Sequence, residues 1–346
     1  GSLLDVLPNY YLEQNCIYYT DKPEQADIIT SPWFNNVCNY IQKFRETKGY
    51  LVWSIEPIWD LLSGAPVDRK IVRLTLSNHL EIKVHVMNSL AGNVFFNNYW
   101  YLKECLDLYE GAISQIKSDT FFSSSILKAK KTAAMLSCKA GPSLSFFRKG
   151  EEKSLCNLRV KIALYGFYSK KLELYGSGWP NGMSKEDSRN LTRGERVARK
   201  IKILKDYAFN LSLENVVAPF YVSEKIWDSI AAGCLPIYYA GNDHTIYQDF
   251  PCNSFIDYAD FNNEYELFKK LDTMSESEYK YRLKLCVNSF DDALEKVKYG
   301  LDPQKICFEH TVKMLRLIKQ ELKNKKEGIS IRNNTDSNKQ GSGTLF

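Results

Sequence analysis

An α/β chain folded as two units that face each other across a cleft is the architecture this sequence predicts, on three observations. Short apolar runs of strand length alternate with helical patterns along most of the chain, the order that favours parallel sheets. The 346 residues exceed what one small core organises and suit two domains of ordinary size. Polar residues collect just past the ends of the apolar runs, where open α/β sheets place their ligands: Glu56 after YLVWSI, Ser137 after TAAML, Ser177 and Gly178 after LELYG, Glu214 and Asn215 after FNLSL. The expected boundaries are 3–127 for the first unit, 128–308 for the second, 309–327 for a basic helix and 328–346 for a disordered, Gly/Ser/Asn-rich tail.

In the first unit, CIYYT (16–20) and ADIITSPW (26–33) read as strands, and NVCNYIQKFRETKG reads as a helix closed by Gly49. YLVWSIEP (50–57) is a third strand ended by Pro57, and KIVRLTL and EIKVHVMN form a further pair. Residues 99–127, aromatic and then Ser-rich, are expected to cross to the second unit.

There, KKTAAMLSCK reads as a strand, NLRVKIALYGFYSK as a helix and LELYGSGW as a strand ending in a Gly turn. The charged stretch 180–200 is expected to be surface loop before the next element. YAFNLSL, EKIWDSIAAG and GCLPIYYAG read strand, helix, strand, followed by SFIDYADF (254–261) and helices from 263 to 324.

Composition narrows the function. A globular 44% hydrophobic and 25% charged residues with a formal charge of only +5 lacks the dense basic runs of a nucleic-acid binder. Nine scattered cysteines without a CxxC pair give neither a zinc spacing nor a disulfide framework, and read as small buried hydrophobes in a reducing compartment. No run of about 18 apolar residues marks a transmembrane span. Gly1-Ser2 has the look of a cloning remnant, so the natural N-terminus and its targeting signals are expected to lie outside this sequence.

The stretch 207–241 concentrates unusual polar residues where apolar elements end or begin. Glu214 and Asn215 fall at a strand tip, a short loop with Pro219 leads to Tyr221, and Ser223 stands as N-cap of a helix with Glu224 and Lys225 in its first turn. A cation there works against the helix dipole, which points to an anion that offsets it. A nucleotide diphosphate at this helix, its ribose held by a carboxylate, accounts for every polar member. The bland alternative is a capping Glu224 beside a solvated Lys225.

This segment resembles the signature of the α-1,3-fucosyltransferases, glycosyltransferase family 10: Tyr207, Phe209, Leu211, Glu214, Asn215, Tyr221, Val222, Glu224 and Lys225 follow the family order. Leu213, Val216 and Ser223 stand where the family has Phe, Ser and Thr. Upstream, LRVKIALYGFYSKKLELYGSG is similar to a family segment whose leading Arg contacts the donor pyrophosphate, which falls on Arg159. Ser137 keeps a family Ser, while Cys138 replaces the Asn after it. KGYLVWSIEPIWD resembles the strand whose terminal Glu is the family's proposed general base, here Glu56. The resemblance runs over about residues 10–320, and the family's first strand, expected before this region, is not found in it.

The resemblance implies a GT-B enzyme: two Rossmann-like domains, the first binding the acceptor and the second a GDP-sugar, with C-terminal helices. It implies inverting transfer of L-fucose from GDP-β-L-fucose to a glycan hydroxyl, GlcNAc in a lactosamine-type or N-glycan structure. Glu56, Arg159 and Lys225 are then catalytic, and Ser137, Arg159, Glu214, Asn215, Tyr221, Glu224 and Lys225 hold the donor. No metal or other cofactor is expected, since protein cations meet the leaving diphosphate and FDDALEK, with Asp291 and Asp292, reads as an exposed helix start. Implied partners are GDP-fucose and an oligosaccharide, glycolipid or glycoprotein acceptor, with peripheral membrane contact through the basic helix, whose Val312, Leu315, Ile318 and Leu322 share one face. The expected location is cytoplasmic or peripheral-membrane for a bacterial source, or the Golgi lumen for an enzyme that has lost an anchor. Two other readings stay open: transfer from a different GDP-6-deoxyhexose, and an inactive GDP- or glycan-binding homologue.

Overall fold

The computed structural model describes residues 7–58, 69–94, 97–117, 132–136, 138, 141, 144–148, 150–186, 191–241 and 244–327. The expected disordered tail at 328–346 and Ser137 therefore lie outside the described residues.

The first unit opens with helix α1 (Asn9–Gln14), strand β1 (Ile28–Ser31), helix α2 (Phe34–Phe44) and strand β2 (Gly49–Trp53). Strands β3 (Ile71–Thr75) and β4 (Glu81–Met87) complete a sheet of order β1-β2-β4-β3, parallel except for the antiparallel edge strand β3. Every residue of β2 is buried, as a central strand covered on both faces must be.

Helices α3 (Asn97–Glu104) and α4 (Leu106–Ile116) carry the chain across. Trp100 and Tyr101 pack in the first core, whereas Leu102, Tyr109, Ile113 and Ile116 pack in the second.

The second sheet is parallel throughout, in the order β9-β8-β7-β5-β6. Its strands are β5 (Thr132–Met135), β6 (Leu172–Tyr175), β7 (Phe209–Leu211), β8 (Leu235–Tyr238) and β9 (Ile256–Asp257). Helices α5 (Cys156–Tyr168), α6 (Arg193–Leu204) and α7 (Glu224–Ala231) connect them. Helices α8 (Glu264–Thr273), α9 (Glu276–Tyr299) and α10 (Pro303–Lys326) follow, and α10 returns to the first sheet, where Trp53 Nε1 donates to Thr311 Oγ1 at 3.2 Å. Two α/β domains, with the last helix laid back on the first, make up the described fold.

Four local readings differ from the sequence expectation. CIYYT is not a strand: Ile17 N–H ends α1 on Leu12 O, and consecutive Tyr18 and Tyr19 are both exposed, so the segment has no buried face to pair. Gly49 does not close α2. Arg45 ends that helix at φ +48°, and Gly49 opens β2, where a Cβ would sit 2.2 Å from Ile318 Cγ2. Glycine is there because α10 presses against the strand. The stretch 180–200 holds most of α6, whose Thr192–Glu195 capping box is formed in both directions. Asp291 and Asp292 lie inside α9 rather than at a helix start, and Asp291 pairs with Lys117 of the crossover.

Candidate functional site

The carboxyl ends of β2 and β7 approach each other between the domains, and the polar residues past them meet there. Glu56 follows β2 in a tight turn, its N–H donating to Ser54 Oγ at 3.1 Å. Its carboxylate accepts from two phenols: Tyr101 of α3 donates to Oε1, and Tyr221 of the second domain donates to Oε2 at 3.1 Å.

Tyr221 reaches Glu56 because the loop after β7 is bent toward the first domain. Val216, Ala218 and Tyr221 belong to the first core, and Phe220 holds φ +57°, with its N–H fixed on Thr245 Oγ1 at 2.9 Å. A left-handed conformation in a non-glycine residue costs on the order of 1 kcal/mol, so it persists only where its surroundings impose it. His244 Nε2 lies 3.0 Å from the Tyr221 carbonyl oxygen, while His244 Nδ1 accepts from Ile246 N–H at 3.0 Å.

Glu214 is fully buried and saturated. Its oxygens accept from Ser223 N–H and Ser223 Oγ, each at 2.7 Å, and from Lys225 Nζ at 3.0 Å. Ser223 therefore does not cap α7 with its own hydroxyl; that hydroxyl turns back to Glu214. The anion offsetting Lys225 in the first turn is Glu214, with Glu224 at 3.8 Å. Burial works against the Lys225 charge, but the Glu214 and Glu224 carboxylates outweigh it and hold its pKa above the ordinary range.

Arg159 emerges from α5 almost fully buried, and its Nη1 donates to Asn215 Oδ1 at 2.5 Å. Burial lowers its pKa, opposed by Cys156, Glu214, Tyr221 and Glu224. Its Nε is buried without a partner among the described residues. A buried guanidinium donor left unsatisfied is costly unless a ligand oxygen takes it.

Sequence reasoning missed two members. Tyr101 sits in the aromatic run NNYWYLKE, which reads as core. Lys200 of α6 joins Asp228 Oδ2 at 3.0 Å and Glu224 Oε1 at 3.4 Å, while Tyr109 donates to Asp228 Oδ1 at 2.7 Å. Glu224 and Asp228, four apart on α7, were the available signal: two acids on one helix face require a cation opposite.

At the neighbouring strand ends, Cys138 N–H donates to Ser177 O at 2.8 Å. Gly178 approaches so closely that a Cβ would stand 2.9 Å from the Cys138 carbonyl oxygen. Among the described residues, no group of three or more His, Cys, Asp or Glu side chains is placed to hold a metal ion. A separate groove of about 470 Å³, lined by Lys48, Arg73, His85 and Glu321 among others, lies under α10 and away from this cluster.

Fold and site define a two-domain α/β protein with cationic groups gathered at the sheet ends of its second domain and a carboxylate facing them from the first. Residues 170–284 match the family model described as glycosyltransferase family 10 (fucosyltransferase) C-term, so this segment is similar to that family. It is 38% identical over 72 residues to the alpha-(1,3)-fucosyltransferase FucT of Helicobacter pylori, a match covering 21% of this chain and 15% of that protein. To alpha-(1,3)-fucosyltransferase 7 of Rattus norvegicus it is 36% identical over 96 residues, 26% of each. The matched segment thus spans about a quarter or less of these relatives' length. A solved α1,3-fucosyltransferase with GDP-fucose aligns over 83% of both chains at 16% identity and TM-score 0.42, and one with GDP over 83% of both at 15% and 0.43.

Proposed function

We propose that this chain is an inverting α-1,3- (or α-1,3/4-) fucosyltransferase that moves L-fucose from GDP-β-L-fucose to a glycan hydroxyl, GlcNAc in a lactosamine-type or N-glycan acceptor. The observation that carries the reading is the pairing of Glu56 with Tyr221 across the domains, beside Arg159 and Lys225, in a chain whose residues 170–284 match a fucosyltransferase family model. In this reading the acceptor oxygen bonds to the anomeric carbon as the bond from that carbon to the diphosphate oxygen breaks. Glu56 takes the acceptor proton, and GDP leaves with the bonding electrons. Arg159, through its unpartnered Nε, and Lys225 neutralise the charge that builds on the diphosphate, so no divalent ion is needed. Glu214 holds Lys225 and Ser223 in place. Glu224, partly exposed beside them, takes the ribose hydroxyls. The apolar face of α10 (Val312, Leu315 and Ile318) is buried within the protein, so contact with a membrane that carries the acceptor runs in this proposal through the helix's lysines alone.

The test is GDP release from GDP-fucose, with and without EDTA, over N-acetyllactosamine, lacto-N-biose and N-glycan core acceptors. Acceptor-dependent release that survives EDTA, and that falls by roughly 10²–10⁴-fold in Glu56→Gln while GDP still binds, is the expected result. Tight GDP binding without release on any acceptor would sink the fucose assignment and redirect the search to other GDP-6-deoxyhexoses.

A further inference from the structure

We propose that Tyr101 is the positioning residue for Glu56: its phenol holds the carboxylate in the orientation in which it meets an acceptor hydroxyl. The inference rests on the reading of Glu56 as general base. Tyr101 belongs to α3 and is buried in the same core as β2, the strand that leads into Glu56, so it moves with Glu56 as one body. Tyr221, on the loop after β7, packs in that core as well and donates to the other carboxylate oxygen.

A carboxylate offers about four lone-pair sites, so both phenols can keep one while an acceptor hydroxyl takes another. The Ser54 turn pins the Glu56 backbone, and Tyr101 pins its far end. Among the described residues, the phenols that donate to the Glu56 carboxylate are Tyr101 from α3 and Tyr221 from the loop after β7.

Tyr101→Phe keeps the ring and removes the donor. A double-mutant cycle with Glu56→Gln, read on kcat for fucosyl transfer, decides the matter. The expected result is a kcat that falls about tenfold in Tyr101→Phe on the wild-type background and is unaltered by the same substitution on Glu56→Gln, with the donor KM unchanged within about twofold. An equal loss on both backgrounds overturns the inference, because a merely structural tyrosine acts whether or not the carboxylate is there. If the wild type transfers no fucose, the functional reading fails, and the coupling of the same two substitutions in urea unfolding still decides whether Tyr101 holds Glu56.

Discussion

His244 shows how much one buried side chain sets at the site. Its Nδ1 accepts a backbone N–H, so its Nε2 carries the proton toward the Tyr221 carbonyl, and the ring is neutral. Burial, partly opposed by that carbonyl, pushes its pKa down to about 4 from 6.5. Between those values the unfolded chain binds a proton that the folded chain refuses, so stability is full above pH 6.5 and is lost as pH falls toward 4. The whole loss from this group is on the order of 3 kcal/mol. Urea unfolding of wild type and His244→Gln at several pH values should show the variant with the shallower fall; parallel curves would refute the assignment. None of this was legible in the sequence, where His244 is an isolated residue in a loop. Glu56, Asn215, Glu214 and Lys225 were legible, because each is polar at the end of an apolar run. Their partners were not, because hydrogen bonds between residues 45 and 165 positions apart, as Glu56 makes with Tyr101 and Tyr221, leave no local pattern.

At the scale of elements, α7 is the piece that presents Glu224 and Lys225, the proposed donor-binding groups, and α6 holds it. Lys200 neutralises Glu224 and Asp228 together, and Asp228 has a raised pKa chiefly through burial, with Lys200 opposing. Without Lys200 the two acids would repel, and Glu224 would turn to Lys225, its next cation at 3.8 Å. Lys200→Met should therefore lower stability by about 3–5 kcal/mol, the cost of breaking a buried pair. It should also weaken GDP binding about tenfold as Lys225 is drawn from its place. Calorimetric titration with GDP checks this, and unchanged affinity would mean that Lys225 is held by Glu214 alone. Expecting a loop over 180–200 missed α6 although its signs were present: a Thr-x-x-Glu start, then Val197, Ile201 and Leu204 at helical spacing. The dense charge between them obscured a buried stripe. The parallel strands were easier to read because each is a nearly unbroken apolar run, as two-sided burial requires.

Over the whole molecule the division of labour follows from which core carries which residue. Arg159, Asn215, Glu224 and Lys225 are held by the second domain, while Glu56 and Tyr101 hang on the first core, which α10 completes from the far end of the chain. Ile318 of α10 is buried against Gly49 at the start of β2, and Glu321 three residues on pairs with Lys83 and His85 of β4. Ile318→Ala opens a cavity where helix meets strand and should cost about 2–4 kcal/mol. Because β2 ends in the Glu56 turn, the loosened strand should lower kcat for transfer. GDP, which in the proposed reading is bound by groups on the other sheet, should keep its affinity. Thermal unfolding, GDP titration and transfer rates on one preparation separate these effects. Equal losses of GDP affinity and kcat would mean that α10 braces the two domains against each other rather than the first sheet alone.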